Sequence, residues 1–135
     1  MAATGSKTDW YENKVLDFAL GNQAYTPPTG LFITLFSAEL TDASTSGAGV
    51  VGLTFSAAND LNNWTTAAGG SKNNAVAFVF PTATANWGTA QWFGIRESAV
   101  AAGRILYWGE LATAKFIGSG DVFQFASGGI TITEA

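Results

Sequence analysis

From Leu31 onward the chain is a succession of short apolar runs, each closed by a cluster of Gly, Ser, Asn or Asp. Leu31, Ile33 and Leu35 alternate with Phe32, Thr34 and Phe36, which gives one strongly apolar face and one half-apolar face, the signature of a central strand. Val50 to Ser56, Ala75 to Phe80, Thr89 to Arg96, Arg104 to Leu111, Val122 to Ala126 and Ile130 to Thr133 follow as further strands. Strands at this spacing, bounded by turn formers, predict an all-β fold, an antiparallel β-sandwich of jelly-roll-like form. Gly128-Gly129 predicts a two-residue hairpin joining the last two runs. The polar stretches 38–49 and 59–74 read as long loops, the second with room for a strand around Trp64.

One segment departs from this pattern. Thr8 to Leu20 predicts a short amphipathic N-terminal helix: Thr8 caps it, Asp9 and Glu12 lie where the helix dipole favours negative charge, and Gly21 stops it. Trp10, Lys14 and Phe18 form one i, i+4 row, and Tyr11 and Val15 another. Tyr25-Thr26-Pro27-Pro28-Thr29-Gly30 cannot continue a helix, because each proline fixes φ and removes a donor. The expected organisation is an arm and helix over residues 1–24 and a single globular β-sandwich over 25–135.

The 135 residues contain neither Cys nor His, which removes thiol catalysis, His-based triads and the usual zinc, haem and iron–sulfur ligand sets. No cofactor, no metal and no enzymatic activity are expected. A net charge of −4 with only 6 Lys plus Arg provides no basic cluster for phosphate neutralisation, so neither nucleic acid nor an anionic membrane is an expected partner. Charged residues make up only 12% of the chain, about half the usual share. A surface so poor in ionised groups predicts contact with other protein chains, a homo-oligomer or an assembly subunit. No run approaches a membrane span, and MAATGSKTDWYENK lacks the apolar core of a signal peptide, which predicts a soluble protein made in a cytoplasm.

Few residues suggest chemistry. Glu97 and Glu110, on neighbouring strands, are the one pair that a glycosidase acid and base would need, against the plainer reading of solvated or Arg-paired carboxylates. Asn59-Asp60-Leu61-Asn62-Asn63 offers oxygen ligands without the spacing of a calcium loop. The tryptophans Trp10, Trp64, Trp87, Trp92 and Trp108 are candidates for stacking on a sugar, against the commoner use of Trp in cores and interfaces. Trp87-Gly88 reads as a ring that pins a polar loop beside a tight turn.

Longer motifs carry a family resemblance. Asn74-Ala75-Val76-Ala77-Phe78-Val79-Phe80-Pro81, Asn86-Trp87-Gly88-Thr89 and Trp92-Phe93-Gly94-Ile95 resemble segments of small virion proteins of tailed bacteriophages. Gly103 to Leu111 (GRILYWGEL) is similar to their LFWG-x-L strand, and Gly120-Asp121-Val122-Phe123-Gln124-Phe125 with Gly128-Gly129-Ile130-Thr131-Ile132 resembles their closing pair of strands. The opening helix, Ala24 to Thr29 and Leu31 to Phe36 also match, whereas Gly47 to Phe55 departs from their acidic and aromatic-plus-Arg pattern. The resemblance implies a non-enzymatic virion structural protein. Its expected role is capsid decoration, cementing the major capsid protein lattice, with Trp10, Tyr11, Asp42, Asn62 and Trp64 as contact residues on the capsid surface. The alternatives are a tail, fibre or baseplate component, and, second, a carbohydrate-binding module.

Overall fold

The alternation at Leu31 to Phe36 is realised as a strand in the interior of a large sheet. The structure, a computed structural model, describes residues 3–21, 23–24, 30–44, 54–58, 63–97 and 104–134. Its elements are β1 (Ala3–Lys7), α1 (Asp9–Leu20), β2 (Gly30–Phe36), β3 (Thr54–Ala58), β4 (Ser71–Asn73), β5 (Phe78–Val79), β6 (Gly88–Arg96), β7 (Ile105–Ile117), β8 (Gln124–Phe125) and β9 (Ile130–Thr133). Seven strands form one sheet in the order β3-β2-β6-β7-β1-β9-β4, and β5 with β8 makes a two-stranded ribbon. The fold is all-β and sandwich-like, with one helix.

The core lies between the inner face of the sheet and the ribbon. Ile33, Leu35, Phe93, Ile95, Ile130 and Ile132 project from the sheet into one cluster with Phe78, Phe80, Phe123 and Phe125. The rings meet edge to face, Phe80 on Phe123 at 5.5 Å and Phe93 on Phe125 at 5.9 Å between centroids. Burial of each such side chain contributes about 1.5–3 kcal/mol. On the outer face a smaller cluster of Phe36, Leu40 and Ile105 packs against Trp92 and Trp108.

Three features differ from the expectations above. First, the segment read as an N-terminal arm contributes β1 to the sheet, antiparallel to β7 and parallel to β9, so the sheet is mixed. Ala-Thr-Gly-Ser-Lys has no apolar alternation. Its place is set by close approach: a Cβ on Gly5 would stand 2.8 Å from Ile132 Cδ1 and 3.0 Å from the Trp108 carbonyl oxygen. Second, β8 and β9 are not hairpin partners, since β8 pairs with β5 and β9 with β1 and β4. The Gly128-Gly129 turn is tied instead to Asn74, whose carbonyl accepts from the Gly128 N–H at 2.8 Å. Third, β4 forms inside the stretch read as a loop, and Trp64 lies in an isolated bridge to Asn74 beside it.

Helix α1 begins as its sequence predicts. Thr8 Oγ1 accepts from the Tyr11 N–H, and Asp9 and Glu12 occupy the first turn. The apolar stripe, however, is only partly packed: Trp10, Tyr11 and Val15 are half-buried, no α1 residue is fully buried, and Leu16, Phe18 and Leu20 are 54%, 60% and 83% exposed. Trp87 is half-buried against the core and its backbone N–H donates to the Ile117 carbonyl at 2.8 Å, while Gly88 has φ +92°, a left-handed conformation that a Cβ would strain. No helix among the described residues is long and apolar enough to cross a membrane. The proline linker at 25–29 and residues 50–53 of the expected second strand lie outside the described residues.

Candidate functional site

The start of β7 is where separate parts of the chain converge. Pairing between β6 and β7 shifts register between Ile95 and Arg96, which leaves the Ile105 and Leu106 carbonyls available to a third strand. Thr8 takes both: its N–H donates to Leu106 O at 2.9 Å and its buried hydroxyl to Ile105 O at 2.7 Å. Helix α1 is thereby held against β7 at its first turn. There Tyr11 packs edge-on to Tyr107 with ring centroids 5.2 Å apart, and the half-buried Trp10 ring carries Arg104 at 5.6 Å and Lys14 at 5.7 Å. The carbonyl of Asp42 accepts from the Asp9 N–H at 2.8 Å, and the Asp42 carboxylate accepts from Trp108 Nε1 at 2.9 Å.

Asp42 leads to the outer face. Trp92 on β6 and Trp108 on β7 stand diagonally across the strand pair, centroids 5.9 Å apart and tilted by 38°, both partly exposed. Glu110 is directly opposite Trp92 and accepts from Gln91 Nε2 at 3.4 Å. Beyond Trp108 the same face turns to hydroxyls and amides: Ser6 pairs with Trp108, and Thr131, Thr133 and Asn73 continue across β9 and β4. Aromatic rings, two carboxylates and a strip of uncharged polar groups therefore share one surface, an arrangement that offers stacking and hydrogen bonding.

The inner face holds a cavity of about 230 Å³ at the edge of the sheet, lined by Leu31, Trp64, Ile95, Tyr107 and Ile132, with Lys72 and Glu134 among its polar residues. Tyr107 donates from its hydroxyl to Glu134 at 3.0 Å, and Glu134 is ion-paired with Lys7. Burial, reinforced by Tyr11 and Glu134, pushes the Tyr107 hydroxyl well above the ordinary range of a phenol. Desolvation lowers the Arg96 guanidinium from its usual value, with Phe36 stacked on it at 5.6 Å. Among the described residues no group of three or more carboxylates gathers where it would hold a metal ion.

A family model described as podophage GP4 fiber I protein gp80 matches residues 6–133, nearly the whole chain. The chain belongs to this fibre protein family. It is thus a bacteriophage virion structural protein of a fibre family, in keeping with the resemblance carried by its strand motifs. No curated protein matches the chain.

In this member of the gp80 family, Trp10, Tyr11 and Asp42 lie together around the start of β7, each already engaged by a neighbour within the chain. Asn62 lies outside the described residues. Trp64 is 7% exposed and meets Phe78 edge to face with centroids 5.4 Å apart, so most of its ring is packed into the core and the rest lines the inner-face cavity. Glu97 and Glu110 lie at different levels of the β6–β7 pair: Glu97, just past the end of β6, accepts from the Arg104 backbone N–H at 3.4 Å, whereas Glu110 is opposite Trp92. Five residues of strand between them correspond to about 17 Å, too far for a glycosidase pair. Trp92 and Trp108 are each stacking candidates in the sequence, but their pairing is not foreseen there. Their signal was present in the alternation of both strands, which sets Trp92 opposite to Phe93 and Trp108 opposite to Tyr107, but only the register brings the two rings together.

Proposed function

We propose that the chain is a non-enzymatic subunit of a virion fibre, acting by assembly and attachment. The observation that carries this reading is the fibre family match over residues 6–133. It supports the tail, fibre or baseplate alternative over capsid decoration, for which binding to the major capsid protein was expected. The fold adds a means of assembly: α1 has no fully buried residue and leaves Leu16 and Leu20 exposed on one side of the helix and Phe18 on the other, apolar groups that a neighbouring subunit would cover. In this reading α1 contacts a neighbouring subunit of a homo-oligomer. Immunogold labelling of intact particles tests the location: label on the fibres is expected, and label spread over the head would return the decoration reading to first place. Light scattering tests the assembly: the chain is expected to elute as an oligomer, and Phe18→Asp with Leu20→Asp to dissociate it without loss of fold. A monomer before any substitution would overturn the role given to α1.

A further inference from the structure

We propose that the outer face of the sheet binds an uncharged saccharide, stacked on Trp92 and Trp108 and hydrogen-bonded by Asp42 and Glu110. This face is separate from the exposed Leu16, Phe18 and Leu20 of α1, and its chemistry does not depend on the chain being a fibre subunit.

The two indoles pack against Phe36, Leu40 and Ile105, while part of each ring remains in solvent. Asp42 fixes Trp108 by accepting from Nε1 at 2.9 Å, so the only polar group of that ring is already satisfied and its remaining exposed surface is apolar. A ligand meeting such a surface must present C–H groups to the rings. Around them, however, the surface is not apolar. The second oxygen of Asp42 and the carboxylate of Glu110 are acceptors, and Ser6, Thr131, Thr133 and Asn73 extend the face as groups that both donate and accept. An apolar protein segment laid here would desolvate both carboxylates without pairing them, at a cost of several kcal/mol per ion. A nucleobase would stack equally well, but its phosphates would meet Asp42 and Glu110 on a chain of net charge −4. A pyranose satisfies both demands: its C–H face lies on the indoles and its equatorial hydroxyls donate to the carboxylates. The same carboxylates disfavour uronic and sialic acids, which makes the preferred ligand neutral.

The full-length protein, screened on an array of neutral hexose oligosaccharides (glucans, mannans and galactans) with hyaluronan and alginate fragments as acidic comparators, tests this directly. Saturable binding of a neutral oligosaccharide is expected, with weakening of about tenfold or more in Trp92→Ala and Trp108→Ala, the loss that one stacking contact represents. Trp108→Phe, which keeps a ring but not the N–H to Asp42, is expected to retain most of the affinity. Should the alanine variants not fold, the indole N–H signals of the unsubstituted protein decide: the oligosaccharide is expected to shift those of Trp92 and Trp108 and leave Trp10, Trp64 and Trp87 in place. Binding of acidic fragments alone, binding of no neutral hexose oligosaccharide, unchanged affinity in both folded alanine variants, or shifts confined to the other three indoles would each overturn the proposal.

Discussion

The side chain of Asn74 donates from Nδ2 to the carbonyl of Ala126 at 2.8 Å, across a separation of 52 residues. The same carboxamide donates to Val76 O and accepts from the Ile130 N–H, both at 2.8 Å, and Asn74 is 1% exposed. One amide therefore closes the backbone groups on either side of the Gly128-Gly129 turn, which would otherwise have to find each other. Asn74→Ala is expected to cost about 1–3 kcal/mol for each buried group left unpaired, read as a lower urea midpoint at unchanged slope. Asn74→Asp keeps the acceptor for Ile130 but turns an acceptor toward two carbonyls, and is expected to be no less damaging.

Thr8 performs two tasks with one hydroxyl, donating to Ile105 O and accepting from the Tyr11 N–H. Thr8→Val retains the shape and loses both. Thermal unfolding is expected to show a loss of about 1–2 kcal/mol, and Thr8→Ser to restore most of it. Equal stability of the Val variant and the unsubstituted chain would mean that this cap does not hold the helix.

Trp64 separates a core role from a contact role. Trp64→Ala is expected to destabilise the protein by about 3–5 kcal/mol in chemical denaturation, as truncation of a buried aromatic does. A folded Trp64→Ala protein of near-normal stability would reopen the reading of Trp64 as a contact residue.

Tyr107 is expected to weaken the fold at alkaline pH. Burial, then Tyr11 and Glu134, raise its pKa above the ordinary value of 10.0, so the folded state keeps a proton that the unfolded chain releases. The stability this provides is complete below pH 10 and is lost progressively above it. Unfolding measurements from neutral to alkaline pH are expected to show that decline, and Tyr107→Phe to make it shallower. In the ultraviolet, Tyr107 is expected to ionise only as the protein unfolds; its titration with an ordinary phenol's midpoint in the folded state would contradict the buried arrangement.

Local patterns in the chain determined the all-β class, the helix with its Thr8 cap, the central strand at Leu31 to Phe36 and the Trp87-Gly88 turn, because each depends on propensity, alternation or capping within a few residues. They also carried the phage virion resemblance, since strand and turn motifs are contiguous. The tertiary structure alone decided what depends on distant partners. Ala3 to Lys7 has no strand signal of its own and becomes β1 because β7 and β9 leave a gap that Gly5 is small enough to fill. Gly128-Gly129 has the composition of a hairpin, yet Asn74 competes for its backbone groups and prevails. Trp64 and Trp108 look alike as residues of polar or alternating segments, but the ribbon covers one, while the other is left at the outer face beside Trp92. Burial and register are properties of pairs of segments far apart in the chain, and the alternation within either segment contains neither.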